Sequence, residues 1–182
     1  TGCTSSNSHA VKEALIAELA KKGLDKEIKV VQTGCFGLCA LGPIMIVYPE
    51  GVFYSRVTVE EIPEIVEEHL LKGRPVERMV YNDPVVEGEH SSALSDTRFY
   101  KAQNRLALRN CGVIDPENID EYIAVHGYEA LGKVLTSMTP KDVVDVVLAS
   151  GIRGRGGAGF PTHVKLMPKN LDEVTTLLVN GA

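Results

Sequence analysis

Three of the four cysteines have the types and spacing of ligands for an iron–sulfur cluster. Cys35 and Cys39 lie in one glycine-punctuated segment with three residues between them, and Cys3 lies far upstream. A dithiol redox pair or a zinc knuckle is expected to have two intervening residues instead. An iron–sulfur cluster needs thiolates that converge from two loops, because each iron takes two sulfur ligands from the protein. The pattern therefore favours an iron–sulfur site.

A second cluster of residues could bind an anionic nucleotide. Five of the seventeen glycines fall between Gly151 and Gly159, and Arg153, Arg155 and Lys165 accompany them. Glycines let the main chain approach a phosphate or ring closely, and the basic side chains could neutralise phosphate charge. No Gly-Lys-Ser/Thr follows, and a helix precedes the loop, so neither a P-loop nor a strand-to-helix dinucleotide fingerprint fits. A flexible glycine hinge remains the alternative.

The elements around the first cysteines are predicted from hydrophobic spacing. A helix with Ser8 as N-cap ends at Gly23, and residues 28–31 are predicted to form a strand just before the Cys35–Cys39 loop. This order places both thiols of the loop after a strand.

A hairpin and a second helix are predicted to follow. Residues 44–48 and 52–57 are β-branched and aromatic runs on either side of a turn. The next helix is predicted to begin with a capping box at Thr58, to carry Pro63 in its first turn and to end at Gly73. With one further strand expected before residue 1, these elements form an α/β sandwich of the thioredoxin type.

Three domain segments are predicted. Residues 1–80 form the thioredoxin-like domain, residues 81–97 form a polar, turn-rich linker, and residues 98–182 form the incomplete start of a second α/β domain. The second domain is predicted to contain helices over 98–109, from Asp115-Pro116 and from Thr139-Pro140 to Ser150-Gly151, and a final strand over 175–179.

Composition excludes several function classes. A formal charge of −5 and a pI near 5.6 give no reason to expect binding to nucleic acid or to an anionic membrane. No apolar run approaches the roughly 20 residues that span a bilayer. The clustered cysteines suit a reducing compartment, so we expect a cytoplasmic protein. Because no Met stands before Thr1, we expect a piece of a longer polypeptide.

The cysteine pattern resembles that of the thioredoxin-like [2Fe–2S] ferredoxins and of the equivalent module in NADH dehydrogenases and NAD-linked hydrogenases. The resemblance implies that Cys3, Cys35 and Cys39 bind a [2Fe–2S] cluster. In that family the first loop carries two cysteines. If Cys3 were the first of these two cysteines, the second would fall at position 8, which is Ser8. Cys3 is therefore expected to be the second cysteine of the pair, and the first is expected upstream of Thr1. Cys111 is expected to be a buried small residue and no ligand.

The glycine-rich stretch 154–162, with Lys165, resembles the flavin-site signature of the NADH-oxidising 51 kDa-type flavoprotein subunit of complex I and of its hydrogenase and formate dehydrogenase relatives. His163 and Leu166 replace the usual Gly and Trp, as in the related subunit of membrane NAD:ferredoxin complexes. The resemblance implies that FMN is held by Gly154, Arg155, Gly156, Lys165 and Asn180, and that the nicotinamide nucleotide lies near Gly157, Ala158 and Phe160.

Taken together, the resemblances imply an electron-transfer subunit. NAD(H) would exchange a hydride with FMN, and the flavin would exchange single electrons with iron–sulfur clusters, including a [4Fe–4S] cluster in a downstream part. No side chain is expected to be catalytic. The expected partners are a hydrogenase-type catalytic subunit, a small [2Fe–2S] subunit and, in a bifurcating complex, ferredoxin.

Two alternatives use the same residues differently. The first is a cluster-free thioredoxin-like scaffold for docking and assembly. The second is a thiol oxidoreductase that uses Cys35 and Cys39, which their spacing makes the poorer fit.

Overall fold

The computed structural model describes residues 2–82 and 93–167, and packing divides the chain into two compact units, Thr1–Tyr122 and Ile123–Ala182. Most of the predicted linker, the predicted strand 175–179 and Asn180 lie outside the described residues. The domain boundaries at residues 80 and 98 stay a prediction. Within the described ranges, no helix has the length and apolar character needed to cross a membrane.

Two helices open the first unit. Helix α1 spans Gly2–Ser5 and helix α2 spans Ser8–Lys22. The predicted N-cap was wrong by one residue, because Asn7, in the left-handed conformation at φ 67°, occupies the capping position. The predicted end at Gly23 is confirmed: this residue has φ 73°, which glycine adopts without strain. Helix α2 buries Val11, Leu15 and Leu19.

The predicted hairpin is confirmed. Strand β1 (Ile44–Val47) pairs antiparallel with strand β2 (Val52–Ser55), and Val47 lies opposite Val52. Three consecutive residues of β2 are buried, so this strand is covered on both faces.

The strand predicted at residues 28–31 was wrong: none of them pairs with a strand in the described part of the chain. A strand needs a ladder of hydrogen bonds to a neighbour, which side-chain pattern alone does not supply. Ile28 and Val30 nevertheless pack against the core, and Lys29 between them is exposed.

The second helix of the first module begins where predicted. The Thr58 N–H donates a 3.0 Å hydrogen bond to the Glu61 carboxylate, as in a capping box. A 3₁₀ turn leads into helix α3 (Ile62–Glu64), which continues as a π-helix over Ile65–Leu71. Gly73, at φ 70°, follows the end of the helix.

One hydrophobic core lies between helix α2, the hairpin and the α3 region. Its buried residues are Val11, Leu15, Leu19, Leu24, Val52, Tyr54, Val57, Ile62, Ile65, Val66, Val76, Met79 and Val80.

The helix predicted over 98–109 is much shorter than expected. Helix α4 covers only Arg98–Lys101. Beyond it, the Arg105 guanidinium donates hydrogen bonds of 2.6 Å to the carbonyl oxygens of Leu108 and Cys111. These bonds satisfy main-chain acceptors in a looped conformation, so the helix does not need to continue.

The next helix also begins later than predicted. Helix α5 spans Ile119–Ala124, and the Asn118 side-chain oxygen accepts hydrogen bonds from the N–H groups of Asp120 and Glu121. Asn118 therefore acts as the N-cap. Asp115 lies in a turn before the helix, and its carboxylate is 2.9 Å from the Lys29 ammonium.

The second unit contains helices without a buried core in its described part. Helix α6 (Glu129–Ser137) was not predicted. Helix α7 (Pro140–Ser150) confirms the prediction, with a capping box at Thr139 and Gly151 at φ 66° after its end. Helix α8 spans Thr162–Leu166. None of the residues 123–167 is fully buried.

Candidate functional site

The two segments that carry the predicted cluster ligands meet in the first unit. A Cβ atom added to Gly2, the neighbour of Cys3, would lie 2.9 Å from Cys39 Cβ and 3.4 Å from its Sγ. A Cβ atom added to Gly42 would lie 2.8 Å from Cys3 Sγ. The absence of side chains at both glycines therefore lets the segment of Cys3 lie against the segment of Cys39.

Cys35 lies on the loop that leads to Cys39. Its Sγ accepts a 3.3 Å hydrogen bond from the Gly37 N–H, and Gly37 has φ 81°. A main-chain N–H directed at a cysteine sulfur stabilises a thiolate and is one of the contacts that set the potential of an iron–sulfur cluster. Cys35 and Cys39 are exposed, and no disulfide forms among the four cysteines.

The donor set matches an iron–sulfur cluster in its chemistry. Thiolates are the protein ligands of such clusters, and three thiols are present on two segments that meet. Within residues 2–82 and 93–167, no three side chains of His, Cys, Asp or Glu form a closed metal-binding group. The structure thus places Cys3 beside the Cys39 segment without bringing Cys35 into one group with them, and the three ligands stay a prediction.

Phe36, between the two cysteines of the loop, is enclosed by residues that the sequence analysis did not select. The Tyr100 hydroxyl donates a 3.0 Å hydrogen bond to the Phe36 carbonyl oxygen. The Arg105 guanidinium carbon lies 5.5 Å from the centre of the Phe36 ring. A Cβ atom added to Gly112 would lie 2.3 Å from Phe36 Cζ. The sequence signal that could have predicted these contacts is Phe36 itself, an aromatic side chain in a glycine-punctuated loop.

Cys111 is also near this loop. Its Sγ lies 3.7 Å from the position of a Cβ atom added to Gly34, and the residue is half-buried. Burial raises the pKa of Tyr100, the nearby Arg105 cation opposes this shift, and negative charge on Cys111, Cys35 or Tyr48 adds to it. The surroundings of Tyr100 therefore contain two thiols and one cation.

The glycine-rich loop forms a closed turn in the second unit. Arg153 and Pro161 pair as an antiparallel bridge, and the Gly154 N–H donates a 2.8 Å hydrogen bond to the Phe160 carbonyl oxygen. The Arg153 guanidinium donates a 3.1 Å hydrogen bond to the Gly159 carbonyl oxygen. These contacts give the loop a defined shape.

The glycines in the middle of this loop are exposed. A Cβ atom added to Gly156 or Gly157 would meet no atom of residues 2–82 or 93–167 within 4 Å, and Gly157 has φ 110°. The Lys165 ammonium, on helix α8, lies 5.6 Å from the centre of the Phe160 ring. The predicted residues 154–158 and 160 share the loop, Lys165 contacts it, and Asn180 is not described.

Comparison with known proteins identifies the family of the N-terminal part of the chain. Residues 1–70 match the family model of the thioredoxin-like [2Fe–2S] ferredoxin. A [2Fe–2S] ferredoxin of Clostridium pasteurianum is 47% identical over 77 residues, which are 42% of this chain and 76% of the relative. The chain belongs to the thioredoxin-like [2Fe–2S] ferredoxin family. The predicted family and the α/β fold class are confirmed.

This ferredoxin module is followed by a second match, over residues 147–182, to the Nuo51 FMN-binding domain. The predicted cofactors [2Fe–2S] and FMN are those of the two matched families. The subunit HndC of the NADP-reducing hydrogenase of Solidesulfovibrio fructosivorans is 64% identical over 72 residues, which are 40% of this chain and 14% of that relative. The chain thus spans a small part of the hydrogenase subunit.

A solved structure is also similar to the ferredoxin module. The thioredoxin-like [2Fe–2S] ferredoxin of Aquifex aeolicus is 38% identical, with a TM-score of 0.41, and the match covers 44% of this chain and 80% of that chain.

Proposed function

We propose that the protein is an electron-transfer subunit that oxidises or reduces NAD(P)H through FMN and passes electrons through iron–sulfur clusters in a hydrogenase-type complex. The observation that carries this proposal is the presence of two redox modules in one chain: residues 1–70 match a [2Fe–2S] ferredoxin, and residues 147–182 match an FMN-binding domain. A flavin exchanges two electrons with a nicotinamide and one with a cluster, so the two modules together perform electron entry.

In the ferredoxin module, Cys3, Cys35 and Cys39 would hold the cluster. A [2Fe–2S] cluster supplies one-electron chemistry when bound. The Gly37 N–H donates to Cys35 Sγ and so stabilises negative charge on this sulfur. Because Cys35 and Cys39 are exposed, an electron donor or acceptor can approach the loop from solvent.

In the flavin module, residues of the glycine-rich loop and Lys165 would bind and orient FMN. Gly154 and Gly156 present main chain without side chains, and Arg155 and Lys165 supply positive charge for a phosphate. Phe160 offers an aromatic surface at the end of the loop, beside Lys165. We propose that Gly157 and Ala158 lie near the nicotinamide nucleotide and that Asn180 contacts the flavin.

The proposed partners follow from the relative, which is itself a subunit of a hydrogenase. We propose a hydrogenase-type catalytic subunit and a small [2Fe–2S] subunit as partners, in the cytoplasm. Four free thiols suit that reducing compartment.

The proposal is tested by purifying the natural polypeptide that contains this sequence without oxygen. Iron, acid-labile sulfide and flavin are assayed, and absorbance is recorded during titration with NADH and with NADPH. We expect a flavin and iron–sulfur spectrum that bleaches with one of the two nucleotides. A protein without iron would instead support the scaffold alternative, and a loaded protein that neither nucleotide bleaches would contradict electron entry from NAD(P)H.

Arg155→Ala in the same polypeptide is expected to lower the flavin content per protein at least several-fold. The substitution removes an exposed positive charge from the glycine-rich loop, and we propose that this charge pairs with the phosphate of FMN. The measurement is the flavin released on denaturation after gel filtration. Arg109→Ala, which removes an exposed arginine of the other unit, should leave the flavin content unchanged. Equal flavin content in both variants would contradict the role of Arg155.

A further inference from the structure

Residues 93–114 contact the cysteine loop of the first unit at Gly34 and Phe36 and leave Cys35 and Cys39 exposed; we refer to these residues as the covering segment. They lie between the two family matches, which end at residue 70 and begin at residue 147. One end is fixed on the hairpin, where Leu94 is buried and its N–H donates a 3.2 Å hydrogen bond to the Gly51 carbonyl oxygen. The other end lies against Phe36 and Gly34.

Phe36 is the point of closest contact between the loop and the covering segment. The tip of its ring occupies the space that a side chain at position 112 would need, and Gly112 has φ 78°, so glycine is required there on two counts. The Tyr100 ring lies 6.3 Å from the Phe36 ring, in addition to the hydrogen bond to the Phe36 carbonyl. The covering segment therefore fixes the residue between Cys35 and Cys39.

Arg105 joins these contacts. Its guanidinium carbon lies 5.5 Å from the Phe36 ring centre and 5.4 Å from the Tyr100 ring centre, as in cation–π contacts. Its two hydrogen bonds go to the carbonyls of Leu108 and Cys111, which carry no net charge. No ion pair between Arg105 and a carboxylate occurs in the part of the chain that the structure describes. Among the described residues, the Arg105 guanidinium thus lies against Phe36 of the cysteine loop without a carboxylate partner.

We propose that Arg105 is a positioning residue that holds the covering segment on Phe36 and, through its charge, raises the midpoint potential of the [2Fe–2S] cluster. The inference rests on the proposed binding of a cluster by Cys3, Cys35 and Cys39. Reduction adds one negative charge to a cluster, and a nearby cation stabilises the reduced state more than the oxidised state. Arg105 is half-buried against the two rings, so solvent screens its charge less than the charge of a fully exposed side chain.

The test is an EPR-monitored redox titration of the natural full-length polypeptide carrying Arg105→Met or Arg105→Lys. At a fixed potential, Arg105→Met is expected to lower the ratio of reduced to oxidised [2Fe–2S] cluster about tenfold, a negative shift of about 59 mV for a one-electron couple. Arg105→Lys keeps the charge and should restore most of the ratio. Arg109→Met removes an exposed charge of the same type, from a residue of the same segment that has no contact with Phe36 among those the structure shows, and should leave the ratio unchanged.

The titration distinguishes a failure of the proposed cluster from a failure of the proposed role of Arg105. A wild-type protein without a [2Fe–2S] EPR signal would refute the cluster itself. A wild-type signal with an unchanged ratio in Arg105→Met, or an equal fall in both Arg105 variants, would overturn the role of the charge.

Gly112→Ala tests the positioning role independently, by the same redox titration, if Arg105→Met fails to fold. It keeps every charge but displaces Phe36 from the covering segment, so the ratio should fall in the same direction. An unchanged ratio in Gly112→Ala would overturn the positioning role.

Discussion

Cys35→Ser is expected to remove the [2Fe–2S] signal or to change it strongly, which is the largest effect we predict at either site. The substitution replaces a soft thiolate by a hard hydroxyl that is not ionised at neutral pH, so the iron loses one of its preferred ligands. It also removes the sulfur that accepts the hydrogen bond from the Gly37 N–H. Iron and sulfide content, together with the EPR spectrum of the reduced natural polypeptide, measure the effect.

Cys111→Ser is the matched control, because Cys111 lies beside the same loop at Gly34 but is not a predicted ligand. It should leave the iron content and the EPR spectrum as in the wild type. Equal loss in both variants would make Cys111 a ligand or show that either change unfolds the loop, which circular dichroism distinguishes. Full iron content together with an unchanged EPR spectrum in Cys35→Ser would refute Cys35 as a ligand.

Local chemistry made some elements predictable from the sequence. Gly23 and Gly151 end helices because both take positive φ, and the Thr139 capping box requires only residues within one turn of each other. The hairpin was predictable for the same reason, since its register is set by a short turn between two β-branched runs. Each of these features depends on neighbours in the sequence.

The features that the sequence did not reveal depend on distant partners. Residues 28–31 carry the β-branched side chains that are typical of a strand. Pairing, however, requires a neighbouring strand, which the residue pattern does not specify. The helix predicted over 98–109 ends at Lys101. Beyond it, the Arg105 side chain contacts two main-chain carbonyls and two aromatic rings instead of continuing a helical surface. The enclosure of Phe36 could not be predicted either, because it joins residues far apart in the chain.

The same distinction applies to the candidate sites. The glycine-rich loop was recognised as a unit because its residues are consecutive, and the structure shows it closed by the pairing of Arg153 with Pro161. The cysteines were recognised by their spacing, whereas the glycines that let their segments meet, Gly2 and Gly42, were not. Two segments can approach closely where a glycine leaves room for the other segment. In the sequence, such an approach is visible only as a glycine without another evident role.

A buried hydroxyl gives the second large effect: Tyr54→Phe is expected to lower the free energy of unfolding by about 1–3 kcal/mol. The Tyr54 side chain is fully buried, its oxygen accepts a 3.0 Å hydrogen bond from the Val76 N–H, and it lies 2.9 Å from His69 Nδ1. Phenylalanine would leave both partners buried without a hydrogen bond. Urea unfolding measures the change, and Tyr48→Phe, at a 61% exposed tyrosine, should cost much less. Equal stability of the two variants would refute the buried network.

His69 should make this stability depend on pH. Burial lowers the pKa of His69 below its usual value near 6.5, and Glu50 opposes the shift only in part. The unfolded chain therefore binds the proton more readily than the folded chain, so stability is fully present above about pH 6.5 and falls as the pH drops through the folded-state pKa. The slope for one group is at most about 1.4 kcal/mol per pH unit. His69→Gln removes the titrating group, so urea midpoints between pH 5 and 7 should vary less in this variant than in the wild type; equal slopes would place the pH dependence elsewhere.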